Sequence, residues 1–174
     1  GRFAIAEKVV RAAIGMTGPV STSLFPVAAR SMKESVDTAL DLLRKAIVYG
    51  GALFLSGSVI LAISADHIVR LITGKHDPEI ALLIRLTSIL PVSVFLDNIY
   101  GTQILLNTGR DRSFMSVTLG TGVVALGLQA CLIPLFQERG AAISFLLSEL
   151  IVLTAFYSIV RFLKLDPLVK RRSV

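Results

Sequence analysis

The feature that most constrains this chain is the length of its apolar stretches. The stretch AIVYGGALFLSGSVILAISA, from Ala46 to Ala65, contains no charged residue. A helix of about twenty apolar residues crosses the hydrocarbon core of a bilayer. Charged residues make up 17% of the chain, whereas soluble domains usually carry about 25%. The sequence therefore predicts a membrane protein.

Several stretches of this kind predict an all-α, polytopic bundle of about five transmembrane helices. In lipid every backbone polar group needs an internal partner, which favours helices, and barrel strands would be only about ten residues long. Apolar and charged residues alternate at helical spacing over 30–45, which predicts an amphipathic helix at the membrane surface, or alternatively a solvated connecting helix. The predicted spans are 3–29, 46–65, 80–106, 114–136 and 141–163.

The distribution of lysine and arginine predicts the orientation of these spans. Eleven basic residues fall at one end of the predicted bundle, and the other end carries Arg2, Arg70, Lys75 and Arg139. The positive-inside rule places the eleven, and the carboxyl terminus with them, in the cytoplasm. We interpret the net charge of +6 and the basic tail KRRSV as membrane anchoring, with membrane lipids as partners and no role in nucleic-acid binding.

Five charged residues lie within or at the edge of the predicted spans: Lys8, Arg11, Arg85, Asp97 and Glu149. An ionisable group in hydrocarbon costs at least about 2.5–3.5 kcal/mol and usually faces a bundle interior or a wet cavity. At about 1.5 Å per residue, Arg11, Arg85 and Glu149 lie roughly 12, 8 and 12 Å from the outer ends of their spans. The same count places Asp97 much closer to the cytoplasm.

Each charge also has an ordinary structural interpretation. Glu7 and Arg11 are four residues apart and can pair on one helix face. Lys8 can extend to the interface on its long side chain, and so can Arg85. The short carboxylates of Asp97 and Glu149 cannot do this, so they are either structural partners for an arginine or candidates for binding a coupling ion.

Prolines inside the predicted spans suggest bent helices. Pro19, Pro26 and Pro91 each remove a helical hydrogen bond, and bent spans line the substrate path of many transporters. Prolines are also common in membrane helices in general. The stretch VSTSLF between Pro19 and Pro26 is more informative, because its hydroxyl groups can bond the carbonyls that the prolines leave free.

Signatures of an enzyme are missing from the sequence. His67 and His76 do not form a zinc-binding HExxH, and GTGVVALG has the wrong spacing for a dinucleotide loop. Cys131 is the single cysteine, so an internal disulfide and a cysteine-based metal site are excluded. We expect no enzymatic activity, no cofactor and no metal.

Three motifs resemble one family of membrane transporters. GRFAIAEKVVRA…LFPVAARS is similar to the G-x-[FY]-x-x-A-E-K stretch that opens a helix closing with [LY]-[FY]-P-x-x-[AS]-[RK] in polysaccharide flippases. IYGTQILLNTGRDRSF resembles their G-x-x-[IL]-L-x-x-G-R, and RGAAISFLLSEL resembles the G-A-A…[ST]-E that opens a late span. These are the O-antigen and exopolysaccharide flippases of the multidrug/oligosaccharidyl-lipid/polysaccharide exporter superfamily.

The resemblance implies a two-lobed transporter of twelve to fourteen helices around a central cavity. Such a protein flips undecaprenyl-pyrophosphate-linked oligosaccharide across the bacterial inner membrane by alternating access, with ion coupling. This chain would be most of the second lobe, and its partners would be the first lobe of the same protein, the lipid-linked oligosaccharide and the polysaccharide polymerase machinery. We therefore expect the sequence to be a piece of a longer protein.

Combining the resemblance with the depths of the charges gives candidate site residues. Lys8, Arg11 and Arg85 are predicted to attract the anionic headgroup, with Glu7 holding Arg11. Asp97 and Glu149 are predicted to support the site or bind a coupling ion. A multidrug or metabolite exporter and a lipid II flippase of the same superfamily are alternatives, although cationic drugs would favour acidic cavities. A membrane assembly subunit that transports nothing is the alternative from another class.

Overall fold

The computed structural model describes residues 1–169, and every regular element in this range is helical. This agrees with the predicted all-α fold of a multi-pass membrane protein. The basic tail KRRSV, from Lys170 onward, lies outside the described residues. The elements are α1 (Arg2–Gly15), α2 (Thr17–Glu34), α3 (Val36–Ile63), α4 (Ala65–Thr73), α5 (Pro78–Thr87), α6 (Leu90–Asp97), a π-helical segment (Asn98–Leu106) and α7 (Asp111–Phe162).

Four helical stretches of the described chain are long and apolar enough to cross a membrane. They are Arg2–Glu34, Val36–Ile63, Pro78–Leu106 and Asp111–Phe162. The last has 52 residues, which at about 1.5 Å per residue is far longer than one bilayer crossing of about 30 Å requires.

The 52-residue element folds back on itself at Gln137. The backbone of Gln137 is non-helical, with φ 50° and ψ −122°, and it lies in the turn that the sequence predicts between two spans. Phe114 stacks on Phe156 with ring centroids 5.4 Å apart, so the two halves of α7 are antiparallel. The halves are 111–136 and 138–162, and each is long enough to cross the membrane once.

The segment predicted as a separate surface helix, 30–45, is divided between two longer helices. α2 ends at Glu34, Ser35 has an extended backbone (φ −162°, ψ 129°), and α3 begins at Val36. The Ser35 hydroxyl caps α3 by accepting a hydrogen bond from the Thr38 amide at 3.5 Å. Ser35 interrupts the helix because an N-cap residue has a non-helical backbone conformation. The apolar residues of 36–45 bury themselves in the bundle as the first turns of α3.

The stretch from Pro78 to Leu106 forms the centre of the bundle. It is the most deeply buried of the four membrane-length stretches, and its helical bonding is interrupted at Ser88 and Ile89 before α6 begins. Phe95 of α6 stacks on Phe54 of α3 with centroids 4.8 Å apart. The other long helices therefore pack around α5, α6 and the π-helical segment.

Ion pairs gather three connections at one end of the bundle. Arg2 Nε lies 3.0 Å from Asp77 Oδ2, and the Arg2 amide donates to Glu138 Oε1 at 2.8 Å. Arg139 forms a bidentate ion pair with Glu79: its Nε donates to Oε1 at 2.6 Å and its Nη2 donates to Oε2 at 2.8 Å. These contacts place three segments at one end of the bundle: the start of α1, the start of α5 and the fold-back of α7. The predicted orientation requires the same three segments to lie together at the outer end.

Candidate functional site

Arg11 lies beside a small cavity between α1 and the two halves of α7. The cavity has a volume of about 390 Å³. Arg11 pairs with Glu7 at 2.7 Å, which confirms the predicted pairing on one helix face, and its guanidinium lies 5.7 Å from the centroid of the Phe145 ring. The lining residues are Phe3, Glu7, Arg11, Gln129, Ile133, Ala141, Ser144 and Phe145. The cavity therefore brings together the cation of Arg11, the carboxylate of Glu7 and the side-chain amide of Gln129 among helices that are long enough to cross a membrane.

The face of α1 that carries these charges is exposed. Lys8, Arg11, Ala12 and Gly15 are all exposed, while Ala6 and Val10 on the opposite face are buried against the bundle. An exposed strip with two cations and small residues does not suit contact with hydrocarbon. We infer that this strip faces water or another protein surface.

Arg85 lies in a different setting from Arg11. Its guanidinium pairs with Asp66 of α4 and its Nε donates to the Ala62 carbonyl at 3.4 Å. Arg11 has its contacts with Glu7 and with Phe145 of α7 instead. The two arginines, predicted from similar depths to act together, thus have separate partners on separate helices.

Asp97 and Glu149 come together, contrary to the depth count. Asp97 is 8% exposed, and its carboxyl lies close enough to that of Glu149, on the second half of α7, for each charge to act on the other. The prediction that Asp97 lies much deeper than Glu149 is therefore wrong. Counting residues assumes a straight helix, and the interruption at Ser88 and Ile89 invalidates that assumption.

The π-helical segment adds a second polar group in mid-span. The Ser21 hydroxyl donates to Asn98 Oδ1 at 2.8 Å, and Gln103 Nε2 donates to the Ser21 carbonyl at 3.1 Å and to its hydroxyl oxygen at 3.2 Å. Gln103 is fully buried, and its Oε1 has no partner among the described residues. π-helical turns occur frequently at functional sites, so this cluster joins the candidate site.

The predicted helix bends have specific positions in the structure. Helical bonding is interrupted at Met16, so Pro19 falls in the first turn of α2, and Pro91 falls likewise in the first turn of α6. α2 continues through Pro26. Thr22 and Ser23 donate to the carbonyls of Gly18 and Pro19, whereas a proline at 19 or 26 would free the carbonyl four residues earlier. The predicted rescue of the freed carbonyls by these hydroxyls is wrong in this detail.

Electrostatics at the end that carries the ion pairs centre on Asp77. Desolvation acts to raise the pKa of this carboxyl, but hydrogen bonds from the Ile80 amide and Arg2, the charge of Arg2 and the Glu79 amide together hold the pKa below its usual value. Asp77 also caps α5. It therefore acts as an ionised link between α1 and α5.

Sequence reasoning missed the contributions of Ser21, Asn98, Gln103 and Ser144. Their signal was available, because each is a polar side chain inside an apolar span. What the sequence lacked was the pairing of distant residues: Ser21 and Gln103 are 82 residues apart.

Comparison with known proteins gives one distant similarity. The chain is 27% identical over 165 residues to a protein of Escherichia coli (strain K12) named "Putative O-antigen transporter". The aligned region covers 92% of this chain and 39% of that relative, so the chain spans about two fifths of the relative's length. No protein-family model matches the chain, and no solved structure matches it significantly. The similarity agrees with the resemblance drawn from the motifs.

Proposed function

We propose that this chain is most of one lobe of a transporter that flips undecaprenyl-pyrophosphate-linked oligosaccharide across the bacterial inner membrane. Its similarity over 92% of its length to the E. coli protein supports this proposal. So do the membrane-length helices. The first lobe of the same protein would supply the other wall of the transport cavity.

The observation that carries the proposal is the exposed cationic strip of α1. Lys8 and Arg11 lie on the exposed face of a membrane-length helix, where contact with lipid tails would cost several kcal/mol per charge. Lys8 has no hydrogen bond or ion pair within residues 1–169. In a two-lobed transporter this strip would line the water-filled cavity between the lobes.

The chemistry of the strip suits an anionic headgroup. A pyrophosphate carries several oxygens that accept charge-assisted hydrogen bonds from lysine and arginine. Arg11 presents an open guanidinium, since its side chain is 64% exposed even though Glu7 pairs with it. Glu7 then positions Arg11, and the nearby amide of Gln129 offers a neutral group for sugar hydroxyls.

Arg85 has a supporting role in this proposal. Its ion pair with Asp66 fixes α5 against α4, yet 45% of its side chain remains exposed. The exposed part of its guanidinium can therefore still donate to an anionic headgroup while the ion pair holds the two helices together.

The proposal can be tested by producing the full-length transporter in cells that lack their own flippase and measuring the surface polysaccharide that they export. In the full-length transporter, Arg11→Ala should lower export more than Arg11→Lys, because attraction of the headgroup requires charge while the bidentate grip adds to it. Arg85→Ala should also lower export. Lys8→Ala removes the unpaired cation and should reduce export without disturbing an ion pair.

Membrane abundance must be measured beside export, since removing Arg11 leaves Glu7 without its partner. The double variant Glu7→Gln/Arg11→Gln is the matched control, because it removes both charges of the pair together. Undiminished export at normal abundance in the Lys8, Arg11 and Arg85 variants would show that these cations do not bind the substrate. If all of these variants keep normal polysaccharide export and the protein also exports a cationic drug, the multidrug-exporter alternative would be favoured.

A further inference from the structure

The most unusual group in the described chain is the Asp97 carboxyl. Both of its oxygens are buried and have no hydrogen-bond donor among residues 1–169. Its neighbour is another carboxyl, that of Glu149. Buried polar atoms are nearly always hydrogen-bonded, so the two Asp97 oxygens require a donor that the neighbouring carboxylate cannot supply while it is ionised.

Two ionised carboxylates cannot satisfy each other, because both only accept hydrogen bonds. They also repel each other at short range in a medium of low dielectric constant. One added proton removes both problems, since the protonated carboxyl becomes a donor to the ionised one. We propose that Asp97 and Glu149 form a proton-binding site that holds one shared proton and thereby fastens α6 to the second half of α7.

The surroundings of the pair favour a proton over a cationic side chain. The electrostatic neighbour of Asp97 within the described chain is Glu149, and no cluster of three or more His, Cys, Asp or Glu residues suited to a metal ion occurs in that part of the chain. Arg11 on α1 is already paired with Glu7. The packed helices also carry Arg30 on α2, Lys45 and Tyr49 on α3, Tyr100 in the π-helical segment and Tyr157 on α7. None of these side chains is an electrostatic partner of either carboxyl.

The location of the pair gives the proton a mechanical effect. Asp97 ends α6 at the start of the π-helical segment, and Val152, one turn beyond Glu149, packs on the apolar cluster that contains Phe95 and Ile99. Loss of the proton leaves two like charges inside this contact. The two helices should then separate or admit water between them.

Infrared spectroscopy of the purified full-length protein tests the proposal directly. At neutral pH the wild type should show the C=O stretching band of a protonated carboxyl, and this band should disappear in Asp97→Asn and in Glu149→Gln. In each variant the new amide donates to the remaining carboxylate, so a proton is no longer needed. The matched control is Glu79→Gln, because Glu79 is ionised against Arg139 and its replacement should leave the band unchanged.

Thermal stability across pH supplies a second readout. Wild-type stability should fall as the pH rises far enough to remove the shared proton, whereas the double variant Asp97→Asn/Glu149→Gln should lack this alkaline loss. Absence of a protonated-carboxyl band in the wild type would overturn the proposal, and so would a band that survives both single substitutions. Neither measurement depends on the cargo, so the proposal can fail while the flippase assignment stands, and the reverse.

Discussion

A single added methyl group at Gly50 should loosen the contact that positions the carboxyl pair. A Cβ atom on Gly50 would lie 3.0 and 3.2 Å from the Cε1 and Cε2 atoms of Phe95, and closer still to Cζ. Phe95 is 2% exposed and stacked on Phe54, so its ring has little room to move. Overpacking of this kind costs about 1–3 kcal/mol, while replacing a helical glycine by alanine gains about 1 kcal/mol. Gly50→Ala should therefore destabilise the protein by about 0–2 kcal/mol.

The neighbouring glycine provides the comparison. A Cβ atom on Gly51 meets no heavy atom within 4 Å, so Gly51→Ala should keep the helix-propensity gain and lose nothing to overpacking. Thermal unfolding of both variants in detergent should place Gly50→Ala below Gly51→Ala, with a gap of about 1–3 kcal/mol. Equal melting temperatures would refute the close packing of α3 on α6. A lower melting temperature for Gly51→Ala would refute the assignment of the buried helix face.

Two further predictions concern the end of the bundle that carries the ion pairs. On a background without Cys131, a cysteine at Lys75 should react with an impermeant reagent from outside the cell, and one at Thr108 only after permeabilisation; the reverse pattern would invert the predicted orientation. The Asp77 pKa lies below its usual 3.8, so the stability that the ionised group contributes is present above about pH 4 and is lost as the pH falls through the lowered value. Melting curves at acidic pH should show this loss in the wild type and a smaller one in Asp77→Asn; equal losses would mean that the link to Arg2 does not contribute.

The membrane-length helices were predictable from the sequence because hydrocarbon imposes a simple requirement. A stretch such as Ala46–Ala65 has one stable arrangement in lipid, a helix. Short elements were not predictable in the same way. α4, from Ala65 to Thr73, follows the second predicted span and extends the helical structure past its predicted end. A helix of nine residues is too short to cross a bilayer, so the length criterion for membrane spans does not predict it.

In the candidate site too, contacts within one helix were predictable from the sequence, whereas contacts between helices were not. The pairing of Glu7 with Arg11 was predictable, since four residues on one helix fix their separation. The contacts of Arg85 with Asp66 and of Asp97 with Glu149 depend on how separate helices pack and where they are interrupted. Linear distance along a sequence carries no information about such interruptions, which is why the depth count failed at Asp97.

The fold-back of α7 at Gln137 has a consequence for biosynthesis. A single non-helical residue separates two helices of about 25 residues each, and Glu138 and Arg139 follow it immediately. If the orientation is as predicted from the basic residues, those two charges cross the bilayer when the loop reaches the end that holds Arg2 and Asp77. A connection this short gives the second helix no separate point of entry, so we expect both to partition from the translocon into lipid together, as one hairpin.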